Sequence, residues 1–335
     1  MSTASKKVCF LALSLTAIFL LLCTGFYIYE LLSSYLPSIG QFEKDVFSDV
    51  FLPLLYMLAL VAFAVFGFLF RTSLSGRTYK STLSGLFASG FAALATALWL
   101  FTFLAGLTKS MPNGILALLS ILLILFGAMT VAYLVLCATP NPSHTLTVLL
   151  GMAAAVFMLI FAFYAYFDTA FALNSPIKLL DLLSALSLTL FFLLETRFRF
   201  GAVCEAIFYP VGMAAILLCA SNAISALLYN AIEGRPLVVH TMHDFLFLGF
   251  ALYALTRLLS FVLPPLFHEE TAESQGATPM FETEGGAGYV PAESDVLAQE
   301  TFDFDVADTP SAVADGQEND DSHKAATDFN TSPET

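Results

Sequence analysis

Charged residues are scarce in this chain, since Asp, Glu, Lys and Arg make up only 12% of its 335 residues. A soluble globular protein typically has about a quarter of its residues charged. Tryptophan occurs once, whereas phenylalanine occurs 34 times and 58% of the residues are hydrophobic. One water-soluble core of this size cannot enclose so much apolar surface, so the composition indicates a membrane protein.

The chain has only five cysteines, and their spacing does not match a known metal-binding or disulfide pattern. All five fall within or at the end of apolar runs, and no CxxC pattern occurs. This argues against a disulfide framework and a zinc site, and we interpret the cysteines as small buried hydrophobic residues. They are Cys9, Cys23, Cys137, Cys204 and Cys219.

Motifs for common chemistry are absent as well. The sequence has no GxxxxGK[ST], GxGxxG, HExxH or GxSxG pattern, so phosphate-loop and common hydrolase functions lose support. It has no basic stripe for nucleic acid and no regular arginine ladder of a voltage sensor. We therefore predict no catalytic residue, cofactor, metal or nucleic-acid partner.

Long apolar runs are what the sequence does have. Each of eight runs is near the ~20 residues that an α-helix needs to cross a bilayer. The runs are continuous rather than alternating, which favours helices over a β-barrel. The prediction is an all-α bundle of about eight transmembrane helices at Val8–Leu32, Val50–Phe70, Leu83–Gly106, Ile115–Cys137, Thr145–Phe167, Ile177–Leu194, Ala202–Leu228 and Phe245–Leu266.

The first run follows Lys6 and Lys7, as a signal peptide would. It is much longer than a 7–15-residue signal core, and no small-x-small cleavage site ends it. We expect an uncleaved first helix after a short cytoplasmic segment, residues 1–7.

Basic residues predict the orientation of the bundle. With the N-terminus inside, the inner segments carry seven basic residues and the outer loops carry four, which agrees with the positive-inside rule. An even number of spans then places both termini in the cytoplasm. The inner set is Lys6, Lys7, Arg71, Arg77, Lys80, Arg197 and Arg199, and the outer set is Lys44, Lys109, Lys178 and Arg235.

The chain divides into a membrane domain, residues 8–266, and an acidic tail, residues 267–335. The loop at residues 138–144 separates two halves of four helices, 8–137 and 145–266, without a residue-level repeat. The tail holds 17 acidic residues and one lysine, a composition that predicts disorder in the cytoplasm. Within it, Phe302 and Phe304 alternate with acidic residues and form a candidate docking segment, or else a random cluster in a solvating tail.

The stretch "FDTAFALNSPIKLLD", which runs from Phe167 to Asp181, is unusually polar. Ser175 is placed to cap a helix, and Lys178 lies three residues before Asp181 on one helix face. The stretch is either an outer reversal with a capped helix and a local ion pair, or a mouth where Asp168, Lys178 and Asp181 meet a polar ligand.

The sixth predicted span carries carboxylates near both of its ends. Glu195 can pair with Arg199 one turn later, and it lies within about 40° of the face of Asp181. These are either interfacial charges at two helix ends or parts of a conduit.

The seventh and eighth predicted spans contain further polar groups. Pro210 should kink the seventh span, where Asn222 and Ser225 can bond a neighbouring helix. Arg257 lies well inside the eighth span, where an unpaired charge is costly. We predict that Arg257 contacts Glu195 or Glu205; the alternative is that it extends to the inner interface.

Two further patterns each lie within a short segment of the chain: a pair of histidines before the eighth span and a row of small residues in the third span. The segment "HTMHD", His240 to Asp244, has a spacing that metals use, but it is better explained as the start of a helix. Gly85, Ser89, Ala93 and Ala97 give the third span a face of small residues, which favours close packing with a helix of this chain or of a second copy.

At "YFDTAFALNSPIKLL", "LLETRFRFG" and "LYALTRLLSFV" the chain resembles a family of multi-pass membrane proteins of anaerobic Gram-positive bacteria. The resemblance implies a bacterial cytoplasmic membrane and no particular activity, ligand or catalytic residue.

Two functions from different classes fit the sequence. The first is a non-enzymatic scaffold or sensor whose acidic tail recruits a cytoplasmic protein. The second is a small secondary transporter that uses the polar groups of the last three spans, because transporter sites favour interrupted helices. An intramembrane enzyme ranks third, with no motif in its favour.

Overall fold

Nine α-helices and one short antiparallel strand pair make up the part of the chain that the computed structural model describes. That part comprises residues 3–36, 41–43, 50–74, 82–109, 112, 114–139, 144–168, 175–200, 205–233 and 239–261. The elements are α1 (Thr3–Ser33), β1 (Tyr35–Leu36), β2 (Gln41–Phe42), α2 (Leu52–Leu69), α3 (Arg71–Leu74), α4 (Leu83–Lys109), α5 (Ile115–Cys137), α6 (His144–Phe167), α7 (Pro176–Arg199), α8 (Glu205–Ile232) and α9 (Val239–Leu259).

Every helix except the single turn α3 is long and apolar enough to cross a membrane, which gives eight candidate spans among the described residues. The predicted all-α transmembrane bundle is thus confirmed, and the chain is a multi-pass membrane protein. Helix α5 has the predicted bounds. Helix α9 begins six residues before the predicted Phe245, because the segment from Val239 to Asp244 contains two histidines, a threonine and an aspartate, which hydropathy alone leaves out.

The outward surface of the bundle is strongly apolar. Several large side chains are more than 70% exposed, an arrangement that water disfavours and lipid acyl chains accept. Examples are Leu21, Phe68, Phe87 and Phe101, on three different spans. The bundle therefore fits a bilayer as its solvent.

Consecutive helices from α4 to α9 are neighbours, and α9 returns to pack against α4. Helices α1 and α2 pack against α8. The helices of residues 8–137 therefore make direct contacts with those of residues 145–266, so the core is shared between the two predicted halves.

Aromatic side chains fill the interior. Phe192 and Tyr253 pack with ring centroids 6.0 Å apart, and Phe192 also meets Phe250 edge-on at 5.4 Å. Edge-on and tilted ring pairs are favourable arrangements that add to the gain from apolar contact. The largest side chains with under 2% exposure are Phe63, Tyr133, Phe157, Phe161, Phe191, Phe192, Phe208, Tyr209, Phe247, Phe250 and Tyr253.

Small residues allow close helix contacts at two places. On α9, a Cβ added to Gly249 would lie 3.2 Å from both the Ala92 Cα and the Ala95 Cβ of α4. Of the small-residue face predicted for the third span, Gly85, Ser89 and Ala93 are buried within this chain and Ala97 is not, and the close approach to Gly249 is made by Ala92 and Ala95.

The second close contact joins α2 to α8. A Cβ on Gly67 would lie 2.4 Å from Pro210 Cγ, so only glycine fits there without movement. Helix α8 continues through Pro210, which lies in its second turn. The proline ring, which cannot donate to the Ala206 carbonyl, thus forms a packing surface for α2.

Candidate functional site

Polar side chains gather at two levels of the bundle, and α7 connects them. Asp181 lies in its second turn and Glu195 just before its last turn, with about 21 Å of helical rise between them at 1.5 Å per residue. The two carboxylates that the sequence places on α7 therefore belong to separate clusters.

The first cluster surrounds a cavity of about 490 Å³. It lies among the last turns of α1, α6 and α8, the first turns of α7 and α9, the second half of α4, and β1. This volume is within the range of small-molecule sites in proteins. Its lining side chains are Tyr27, Leu31, Tyr35, Trp99, Thr102, Phe103, Phe161, Tyr164, Ala165, Asp168, Ile177, Lys178, Asp181, Asn222, Ala226, Tyr229, Asn230, His243 and Asp244.

Four residues singled out in the sequence meet in this cavity. Asn222 Nδ2 of α8 donates to Asp181 Oδ1 of α7 at 2.6 Å, as expected for a polar side chain that bonds a neighbouring helix. Lys178 Nζ donates to the backbone carbonyl of Asp168. The polar stretch around Asp181 thus forms part of a cavity wall, with partners that differ from the local Lys178–Asp181 pair.

Ser175 holds the N-cap position of α7, and Pro176 follows as the first helical residue. The Ser175 side chain is buried but makes no capping hydrogen bond among the described residues. The predicted hydroxyl cap is therefore wrong, whereas the predicted start of the helix is right.

Trp99 and His243 are cavity residues that sequence reasoning missed as a pair. Trp99 Nε1 donates to His243 Nδ1 at 3.3 Å, which fixes the indole of α4 against α9. The His243 ring also packs on Phe161, with centroids 4.7 Å apart. No local sequence pattern indicates this contact, because the two residues are 144 positions apart.

The "HTMHD" segment begins α9, as its interpretation as a helix start predicted. His243 and Asp244 both line the cavity. Among the described residues, no group of three or more His, Cys, Asp and Glu side chains is arranged to hold a metal ion.

The second cluster lies where α5, α7 and α9 end, and we call it the Glu195 network. Arg257 Nε lies 3.0 Å from Glu195 Oε1, and Arg199 Nη2 lies 3.2 Å from the same oxygen. Tyr253 Oη donates to that oxygen at 2.8 Å and in turn accepts from Arg257 Nη2 at 2.8 Å. Tyr133 and Cys137 of α5 complete the network through Tyr253 and Arg199.

This network confirms the predicted Arg257–Glu195 and Glu195–Arg199 pairs. Glu195 is 1% exposed and Arg257 4% exposed, so Arg257 does not extend to an interface. The Arg257 guanidinium also lies over the Tyr253 ring at 4.5 Å from its centroid, a favourable cation–π distance. The side chain of Glu205, the alternative partner, lies outside the described residues, although Glu205 begins α8.

Apolar packing separates the two clusters. Along α7, Leu188, Phe191 and Phe192 are fully buried between Asp181 and Glu195. Ser184 and Ser187 lie nearer the cavity, where the Ser187 hydroxyl donates to the Ser184 carbonyl at 2.8 Å. Phenylalanines thus fill the level that a conduit between the two carboxylates would have to pass.

Two predicted groups remain: Ser225 on α8 and the candidate docking residues of the tail. Ser225 Oγ donates to the Thr24 carbonyl of α1 at 3.4 Å, so α8 does bond a neighbour there, as predicted. The candidate docking residues Phe302 and Phe304 lie outside the described residues.

No protein-family model, curated protein or solved structure matches the chain. The cavity and the Glu195 network are therefore the features of this chain that bear on its function.

Proposed function

We propose that the protein is a small secondary transporter of the bacterial cytoplasmic membrane. The cavity is its solute site, and the Glu195 network is the closed gate at the opposite end. The observation that carries this proposal is a cavity of ligand size, built from charged and aromatic side chains, inside a membrane-spanning bundle. Charged groups inside a membrane protein are costly to retain, and they commonly mark the path of a substrate or ion.

Helices α7 and α9 contribute to both clusters. Helix α7 contributes Asp181 to the cavity and Glu195 to the network, and α9 contributes Asp244 and Arg257 in the same way. A tilt of α7 against α9 that breaks the network would therefore also change the shape of the cavity. Alternating access requires this kind of coupling between the two sides of a binding site.

The positive-inside rule gives the transporter a direction. Arg71, Arg197 and Arg199 belong to the network end, whereas Lys109 and Lys178 belong to the cavity end. In the proposed orientation the cavity lies on the extracellular side, and the Glu195 network closes the cytoplasmic side. Both termini are cytoplasmic.

The accessibility of one introduced cysteine tests the proposal. Ala226 lines the cavity on α8, so an Ala226→Cys variant should react with a membrane-impermeant thiol reagent added outside the cell. Adding Glu195→Gln, which weakens the gate, should raise labelling from the cytoplasmic face in inverted vesicles severalfold. The controls are the unmodified chain and Leu190→Cys, whose side chain lies on the lipid-facing surface of α7. Labelling of Ala226→Cys from one face only, whatever residue stands at 195, would refute transport.

The charge of the tail favours a second function, recruitment of a cytoplasmic protein by a membrane-bound scaffold or sensor. Residues 267–335 carry a net charge of −16, in contrast with a nearly neutral membrane domain. Acidic segments with interspersed aromatic residues can dock on basic partners. Pull-down with the full chain and with a Phe302→Ser, Phe304→Ser variant tests this function at unchanged charge, and identical partner sets would count against it.

A further inference from the structure

Acidic side chains outnumber lysines and arginines in the wall of the cavity. Three of its lining side chains are aspartates, and Lys178 is its one lining lysine or arginine among the described residues. Two salt bridges within the described part of the chain join Arg199 and Arg257 to Glu195, at the other end of α7. In the cavity wall, Asp181 accepts a hydrogen bond from Asn222, and no salt bridge joins Asp181 or Asp244 to a lysine or arginine of the described residues. A carboxylate in this setting is stabilised by a cation, and the cavity has room for one.

Aromatic rings form much of the remaining wall. Tyr27, Tyr35, Trp99, Phe103, Phe161, Tyr164 and Tyr229 all line the cavity. The Trp99 indole is held in place by stacking on Phe103, with ring centroids 5.0 Å apart, and by its bond to His243. Rigid aromatic faces next to carboxylates attract organic cations through cation–π interactions, and tryptophan is the strongest of these partners.

We infer that the cavity binds an organic cation: an ammonium group with an apolar or aromatic body, its charge directed at Asp181 and Asp244 and its body packed against Trp99. This inference depends on the proposed function in taking the cavity as the solute site. A bare metal ion fits less well, because no metal-binding group of His, Cys, Asp and Glu occurs among the described residues. The aspartates would repel an anion, and a neutral solute would provide no positive charge to pair with them.

The single tryptophan makes the test direct, because all tryptophan fluorescence of the full chain arises from Trp99 in the cavity wall. We would titrate purified protein in nanodiscs with three probes that share one body: 2-phenylethylammonium, 2-phenylethanol and 3-phenylpropionate. Saturable quenching by the cation, at least tenfold tighter than any response to the alcohol or the anion, is expected. Equal responses to all three probes, or no saturable response to the cation at millimolar concentration, would overturn the inference.

Two variants then locate the site. Asp181→Asn and Asp244→Asn each keep the size of the side chain and remove its charge, and each should weaken binding of 2-phenylethylammonium at least tenfold. Glu43→Gln and Glu233→Gln are matched controls, since these carboxylates are exposed at the same end of the bundle and do not line the cavity. Thermal unfolding of each variant shows whether it is folded. Unchanged affinity in both aspartate variants would place the cation elsewhere and refute the inference.

The results separate this inference from the proposed transport function. Charge-selective binding together with one-sided labelling of Ala226→Cys would retain the organic-cation site and refute transport. Labelling from both faces in the Glu195→Gln background, without charge selectivity, would retain the transporter and refute the cation as its solute.

Discussion

Arg257 of α9 places its Nε 3.0 Å from Glu195 Oε1 of α7, and both side chains are almost fully buried. The same oxygen also forms a salt bridge with Arg199, so one carboxylate pairs with two guanidinium groups. Removing one partner of a buried ion pair leaves a charge in a medium that solvates it poorly. Glu195 is therefore the residue of the network whose loss should have the largest effect.

We predict that Glu195→Gln destabilises the bundle by about 3–5 kcal/mol, the range for breaking a buried ion pair. Arg257→Gln should cost less, because Glu195 would keep Arg199 and Tyr253 as partners. Equilibrium unfolding in detergent micelles measures both changes.

The matched control for these variants is Arg197→Gln, since Arg197 is exposed on the same turn of α7. It should leave the free energy of unfolding within about 0.5 kcal/mol of the unmodified chain, as surface substitutions usually do. Equal effects of Glu195→Gln and Arg197→Gln would show that the buried pair contributes little.

Tyr253→Phe removes the hydroxyl that bonds to Glu195 and accepts from Arg257. We expect a loss of about 1–3 kcal/mol, since buried charged groups would lose a hydrogen-bond partner. Tyr133→Phe is the matched comparison and should cost less, because its hydroxyl bonds to that of Tyr253 rather than to the carboxylate. Thermal unfolding in micelles distinguishes the two, and an effect of Tyr133→Phe as large as that of Tyr253→Phe would argue against Tyr253 as the centre of the network.

Gly67→Ala should destabilise the contact between α2 and α8 by about 1–3 kcal/mol, the usual cost of overpacking. Its Cβ would lie 2.4 Å from Pro210 Cγ and 2.9 Å from the Ala206 carbonyl oxygen, and neither atom can move freely. Pro210→Ala in the same chain should recover part of the loss, because the carbonyl contact persists. These changes are measured as free energies of unfolding in micelles.

Gly90→Ala is the control for that substitution, since nothing lies within 4 Å of the added methyl group. It should be neutral or slightly stabilising, because alanine favours helix more than glycine does. Similar losses for Gly67→Ala and Gly90→Ala would mean that helix flexibility, rather than the clash with Pro210, sets the effect.

The proposed orientation predicts the behaviour of reporter fusions. A fluorescent protein fused after Thr335 should fold and fluoresce in the cytoplasm, whereas alkaline phosphatase fused after Asp168 should be active outside it. The physical reason is the excess of lysine and arginine in the segments assigned to the inside. The reverse pair of results would invert the bundle and place the cavity on the cytoplasmic side.

Prediction from the sequence succeeded where one residue or one helix carries the signal. The eight spans follow from apolar length, and the partner of Arg257 was limited to Glu195 or Glu205 by depth, since a charge well inside a span needs a partner at the same level. The prediction that the Ser175 hydroxyl caps α7 is wrong, because a residue at the N-cap position does not always donate or accept a side-chain hydrogen bond there. The Trp99–His243 contact was not predicted, since it depends on α4 packing against α9, and no pattern in the sequence encodes that packing.

The sequence by itself determined the lipid environment, the number of membrane spans and which charged residues lie deep enough to need a partner, because hydrophobic length and the cost of burying charge are local properties. Only the tertiary structure decided that Asp181 and Asp244 line the same cavity as Trp99, and that Glu195 forms salt bridges with two arginines. Those arrangements depend on which helix faces meet, and that is set by close packing at positions such as Gly67 and Gly249.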